Sequence, residues 1–147
     1  MAETAGTQNP FGNSISTDDI LDTLGFFDSW EDRYKYIIDL GKDLPPMAET
    51  LHTEDRLVRG CQSQVWIDTS MRDGRLQLTV DSDAFIVKGL LGLVLAAYNN
   101  KTPAEIAAFD IDHYFEQLDL LRHLSSTRGN GLRAMVQRIQ DIARTAG

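Results

Sequence analysis

The sequence predicts one domain in which helices pack around a small antiparallel sheet, and three observations predict it. The first is a hairpin. Leu76, Leu78 and Val80 alternate with polar neighbours at the period of a strand. Ahead of them, Asp73-Gly74 supplies the positive φ angles of a tight turn, which leads back to a partner strand over residues 65–71. The second is the stretch 84–98, apolar nearly all round, as in a helix buried on every side. The third is a long C-terminal helix on which Leu132, Met135, Val136, Ile139, Ile142 and Ala143 form one stripe. A chain of 147 residues is long enough for a single core of this kind.

Residues 1–14 are polar and small, with Pro10 and Gly12, and read as a flexible arm in which Phe11 is the one candidate for docking on the domain over residues 15–147. Ser16-Thr17-Asp18-Asp19 reads as a helix start, because short polar side chains cap free N–H groups and acids suit the positive helix end. That helix is short and ends near Leu24. Ser29 caps a second helix with Trp30, Tyr34, Ile37, Ile38 and Gly41 at helical spacing, closed by Gly41 and Pro45-Pro46. Residues 44–55 form a loop or broken turn, and Leu57-Val58 a short strand.

After the hairpin, Asp81-Ser82-Asp83 is read as the cap of the apolar helix, with Phe85, Ile86, Val87, Leu90, Leu91, Leu93, Val94 and Leu95 along it. Lys88 interrupts this helix, which is too short to span a membrane. Gly89 and Gly92 each cost about 1 kcal/mol against alanine inside a helix, so close backbone packing is expected there. Asn99-Asn100 ends it. Thr102-Pro103 opens a short helix to about Phe109, Asp112 starts another through Leu118, and the last runs from near Ser125 to Thr145.

The single cysteine, Cys61, lies between Gly60 and the polar run Gln62-Ser63-Gln64, at the entrance to the predicted sheet. A lone free cysteine is as a rule a small buried hydrophobe. Here its neighbours make a poor core, while Gly60 permits positive φ and close approach of another chain. A loop anchored on a sheet can hold a nucleophile in place and still yield to a partner. One cysteine excludes an internal disulfide or a multi-cysteine metal site within one chain, and it suits a reducing compartment. Acids outnumber bases 22 to 14, for a net charge of −8, which argues against a nucleic-acid binder. No signal peptide is visible in residues 1–13, so a cytoplasmic protein is expected. His52, His113 and His123 lack paired metal-ligand spacing, and Trp66 reads as a core residue of the first strand.

Gly60-Cys61-Gln62-Ser63-Gln64-Val65-Trp66 closely resembles the active-cysteine segment of the SufE/CsdE family of sulfur acceptor proteins. Three further blocks resemble that family in order. They are Trp30-Glu31-Asp32-Arg33-Tyr34 with Ile37-Ile38-Asp39-Leu40-Gly41; Asp81-Ser82-Asp83-Ala84 with Ile86-Val87-Lys88-Gly89-Leu90; and Leu124-Ser125 with Arg128 and Gly131-Leu132. The resemblance implies an α+β fold, a small curved antiparallel sheet packed against helices and shared with scaffold proteins of the IscU type. Pro10-Phe11-Gly12 looks more like the CsdE branch, residues 60–67 and 81–90 more like SufE, and the branch stays open.

By the same resemblance Cys61 accepts sulfur as a persulfide from a pyridoxal-phosphate cysteine desulfurase, stimulates that enzyme and passes the sulfur on, for example to an iron–sulfur scaffold. The pyridoxal phosphate belongs to the partner, so no cofactor, metal, nucleic acid or membrane is expected for this chain. A solitary thiol agrees with that role, since a second one nearby would attack the persulfide and discharge it as sulfide. Asp83 and Arg128 are candidates for placing the cysteine loop or binding the desulfurase, against an N-cap and a solvated first-turn residue. Gly60, Gln62, Ser63 and Gln64 are candidates for shaping the loop or meeting a docked partner. Two other classes stay open: a cysteine hydrolase or peroxidase, which needs a base near Cys61, and an iron–sulfur scaffold, which normally offers several thiolates.

Overall fold

A computed structural model describes residues 9–146, and its architecture is α+β: six helices and a two-stranded antiparallel sheet among the described residues. In chain order the elements are α1 (Thr17–Leu24), α2 (Trp30–Gly41), β1 (Val65–Arg72), β2 (Arg75–Ser82), α3 (Phe85–Tyr98), α4 (Pro103–Ala108), α5 (Ile111–Leu118) and α6 (Ser126–Ala146). Short 3-10 turns at Glu49–Leu51, Glu54–Arg56 and Leu121–His123 fill the connections. Among the described residues no helix is long and apolar enough to cross a membrane.

Local chemistry sets most boundaries. Ser16 and Asp19 form a reciprocal capping box at α1, Ser29 caps α2, and Thr102 with Glu105 repeats the box at α4, where Pro103 takes the first position. The hairpin turns at Asp73 (φ 56°) and Gly74 (φ 76°), a pair of positive φ angles that matches strand twist. Pairing from Val65↔Ser82 to Arg72↔Arg75 then places Val65 and Ile67 with Leu76, Leu78 and Val80 on the buried face. The capping residue of α5 is Asp110, slightly ahead of the expected start at Asp112.

A two-stranded sheet has two edges, and both are covered. Along β1, the Val58 N–H donates to the Val65 carbonyl at 2.8 Å and Leu57 bridges Trp66, which realises the short strand expected at Leu57-Val58 as a single bridge. Along β2, the Leu76 N–H donates to the Lys101 carbonyl at 2.8 Å, and the Leu78 N–H donates to Oδ1 of buried Asn99 at 2.8 Å. A side-chain amide thus stands in for part of a third strand, and it pairs a backbone donor that burial would otherwise leave costly.

The other end of Asn99 reaches the N-terminal segment: its Nδ2 donates to the Phe11 carbonyl at 2.9 Å. Phe11 is completely buried, with its ring against Gly92. Of the arm expected over residues 1–14, residues 1–8 lie outside the described residues, and residues 9–14 are a docked turn rather than a loose end. Asn9 adds to it by donating to the Leu78 carbonyl at 3.2 Å.

Helix α3 is the centre, buried at Val87 and at every position from Gly89 to Tyr98. Two expectations change here. Phe85, read as part of the buried surface, is 75% exposed at the helix start. The Asp81-Ser82-Asp83 cap is not used as read: Ala84 occupies the N-cap without a side-chain cap bond, and the Ser82 hydroxyl instead accepts the Ala84 N–H at 3.2 Å.

The contact between α2 and α3 is made by backbone. A Cβ added at Gly89 would lie 2.2 Å from the Ile37 carbonyl oxygen, and one at Gly41 would lie 2.7 Å from the Gly89 nitrogen. At Gly92 the nearest atoms belong to the Phe11 ring, 3.1 Å away, which can shift. Alanine gains about 1 kcal/mol over glycine in a helix interior, while overpacking costs roughly 1–3 kcal/mol. Gly89→Ala should therefore be net destabilising in urea denaturation, because a carbonyl on a packed helix cannot yield, whereas Gly92→Ala should be close to neutral. Equal behaviour of the two variants would contradict the backbone contact.

Candidate functional site

The cysteine loop runs from the β1-edge bridge at Leu57 to the start of β1 at Val65. Gly60 takes φ 91°, a conformation costly for other residues, and turns the chain so that Cys61 faces inward. The thiol is half-buried between the loop and α6, and it donates weakly to the Gly131 carbonyl at 3.5 Å.

A small pocket opens at the sulfur. Val65, Val87 and Leu90 with Met135 form its apolar side, while Gln62, Ser63, Thr127 and Arg128 form a polar rim. Its free volume is about 20 Å³, room for one water-sized group beside the thiol. Among the described residues no histidine, aspartate or glutamate lines it, so no general base stands ready at Cys61. Among the same residues no three His, Cys, Asp or Glu side chains converge on one point.

Burial pushes the Cys61 thiol above its ordinary pKa. A thiolate at this spot would lose water and face the oxygen of the Gly131 carbonyl. The resting state is therefore the protonated thiol, which is a poor nucleophile.

The remaining candidates divide by position. Gly60 shapes the loop, and Gln62, Ser63 and Arg128 share the pocket rim with Cys61. Gln64 and Asp83 form a separate clamp at the loop's far end. The Gln64 N–H donates to Asp83 Oδ1 at 3.1 Å, and the Asp83 N–H donates to the Gln64 carbonyl at 3.3 Å. Asp83 thus holds the loop to the β2–α3 junction instead of capping α3. Arg128 lies in the first turn of α6, where its N–H is taken by the Ser125 hydroxyl at 3.2 Å.

Trp66 is partly buried, with the His52 ring edge-on to it at 4.5 Å between centroids. His52 Nε2 is 2.6 Å from Asp81 Oδ2, and that hydrogen bond raises the histidine's pKa. Lys88 Nζ approaches the other Asp81 oxygen at 3.4 Å. His123 stacks on Trp30, and His113 is exposed; neither lines the Cys61 pocket.

Sequence reasoning missed the apolar side of the pocket. Val87, Leu90 and Met135 read as core, and they are core residues that also line the pocket beside the thiol. Gly131 offered a signal, as a glycine inside the apolar stripe of α6. A Cβ there would lie 3.6 Å from Cys61 Sγ, which is ordinary contact, so the position marks a neighbour rather than a clash.

With this geometry in place, comparison with known proteins identifies the class. Residues 18–143 match the family described as SufE, Fe–S metabolism associated domain, and the chain belongs to that family. An uncharacterised SufE-like protein of Rhizobium etli is 47% identical over 133 residues, spanning 88% of this chain and 90% of the relative. One from Rhizobium meliloti is 46% identical over 132 residues, spanning 87% and 94%. The solution structure of a hypothetical protein from Thermus thermophilus shares the fold, with a TM-score of 0.68 at 20% identity over 88% of this chain and 94% of that one. Membership carries a role in the sulfur transfer of iron–sulfur metabolism and implies a cysteine desulfurase as partner.

The buried thiol makes a measurable claim. In the free protein, the rate of Cys61 alkylation by iodoacetamide should rise with pH about a midpoint above that of an exposed cysteine. In urea the midpoint should return to the ordinary range. A native midpoint at or below that of a small-molecule thiol would show a stabilised thiolate and contradict this site.

Proposed function

We propose that the chain is a sulfur carrier that takes persulfide sulfur from a cysteine desulfurase onto Cys61, stimulates that enzyme, and hands the sulfur to iron–sulfur cluster assembly or another sulfur-incorporating pathway. One observation carries this reading: the only thiol sits half-buried at a pocket with room for one further atom and without a base among the described residues. Such a site cannot activate water or a peroxide by itself, but it can shelter a sulfur atom.

The loop supplies the motion. Docking draws residues 59–63 outward, with the Asp83 clamp fixing the far end. The thiol then leaves the Gly131 carbonyl and the apolar wall, regains solvent or partner dipoles, and loses its proton. The Cys61 thiolate attacks the outer sulfur of the donor persulfide. The donor's S–S bond breaks, its electron pair returns to the donor cysteine as thiolate, and Cys61 becomes Cys–S–SH with no net oxidation. Regenerating the donor's free cysteine lets desulfuration continue, which is the source of stimulation. On return, the added sulfur occupies the pocket, away from reductants.

In this scheme Gln62, Ser63 and Arg128, which rim the pocket, meet the partner or the transferred sulfur, and Gly60 gives the loop its turn. The pyridoxal phosphate resides in the desulfurase, and the carrier works in the cytoplasm without a cofactor of its own.

Intact-mass analysis after mixing with a desulfurase and free cysteine tests the reading. The parent should gain the mass of one sulfur atom and raise desulfurase turnover. Cys61→Ser keeps nearly the same size, yet its hydroxyl stays protonated at neutral pH and cannot hold a persulfide. That variant should bind the desulfurase while losing both the mass gain and the stimulation. Full stimulation by Cys61→Ser would overturn the carrier and leave an allosteric activator.

A further inference from the structure

Three residues of α6 meet the cysteine segment along one helical face. Gly131, Ala134 and Arg138 are spaced i, i+3 and i+7, and they touch the segment in reverse order. The Gly131 carbonyl accepts the Cys61 thiol, and the Ala134 Cβ lies 3.4 Å from where a Gly60 Cβ would stand. Arg138 closes the series. Its Nη2 donates to the Asp55 carbonyl at 2.6 Å and its Nη1 to the Leu57 carbonyl at 3.1 Å.

These carbonyls lie at the end of the Glu54–Arg56 turn, where a helical turn runs out of its own donors. A guanidinium, with donors fixed in one plane, can satisfy both at once. The same stem is tied to the sheet by different bonds. Arg56 Nε donates to Asp68 Oδ1 at 2.8 Å, and the Val58 N–H to the Val65 carbonyl at 2.8 Å. The stem is thus held on β1 by its own residues and on α6 by Arg138. Between this fork and the Asp83 clamp, the loop meets α6 through a weak thiol bond and small-residue packing.

We propose that Arg138 is a positioning residue for Cys61. It seats the loop's stem on α6 so that the thiol falls under the pocket rim, and it confines opening to residues 59–63. The inference deepens the carrier reading and rests on it for its functional meaning, but the placement of the thiol can be read without any desulfurase.

The test compares three variants with the parent for iodoacetamide alkylation of Cys61 and for melting temperature. Arg138→Met keeps an unbranched apolar stem and loses both donors. It should alkylate about three- to tenfold faster well below its melting temperature, since losing two charge-assisted bonds favours local opening. Arg138→Lys, with one compact ammonium, should fall between. Ile139→Val, adjacent on α6 and fully buried, lowers the melting temperature through the core and should leave the alkylation rate unchanged. A parental rate for Arg138→Met, or equal acceleration by Ile139→Val, would overturn the assignment. If Arg138→Met accelerates alkylation while parent Cys61 takes no sulfur from a desulfurase, positioning stands and the carrier reading fails.

Discussion

The backbone contact of α2 on α3 is the constraint on which the other elements depend. With Gly89 against the Ile37 carbonyl and Gly41 against Gly89, the two helices meet backbone to backbone at their crossing. Helix α3 is therefore fixed in depth and rotation, and its remaining faces are free to meet β2 and α6. Val87 and Leu90 arrive under the cysteine loop because of that placement. Lys88, next to the contact, is aimed at Asp81, whose other oxygen meets His52 behind Trp66. One close helix approach thus sets both the apolar wall beside the thiol and the order at the end of the strand leading away from it.

The loop combines firm ends with a weakly bound middle. Its stem and its exit are held by ordinary and charge-assisted hydrogen bonds, whereas the Cys61 thiol makes one long bond to a carbonyl. Protonation follows the same division. Within the pocket the neutral thiol is favoured by burial, and outward displacement would restore the solvation that a thiolate needs. Position and reactivity are therefore coupled through desolvation, without a titrating partner at the sulfur among the described residues. In the proposed carrier, this coupling would hold the nucleophile inactive until a partner supplies the surroundings it lacks.

Much of this is legible in the sequence where the determining chemistry is local. Ser16, Ser29 and Thr102 announce their helices because a cap is read within three residues, and Asp73-Gly74 announces the hairpin because turn geometry is set by two. The failures are non-local. Phe11 sits in a polar, small-residue stretch, and its burial depends on Gly92 and Asn99, far along the chain. Phe85 is misplaced by sequence because a helix that is apolar all round gives no phase from which to tell its exposed end. Asp83 looks like a cap, yet Ser82 meets the Ala84 N–H and frees the carboxylate for Gln64. Cys61 stands out through the resemblance and its polar neighbours, while Arg138 gives no sign, because a polar residue beside an apolar stripe normally faces water.

The volume beside Cys61 also bears on how much sulfur the proposed carrier would shelter. Space for about one small atom group beside the thiol matches a single added sulfur. A longer sulfur chain would reach toward the polar rim at Gln62 and Ser63. In the proposed carrier, a site of this size would favour loading by one sulfur at a time. Under that proposal, the sulfur delivered per unit time would follow the number of copies and their rate of exchange between partners.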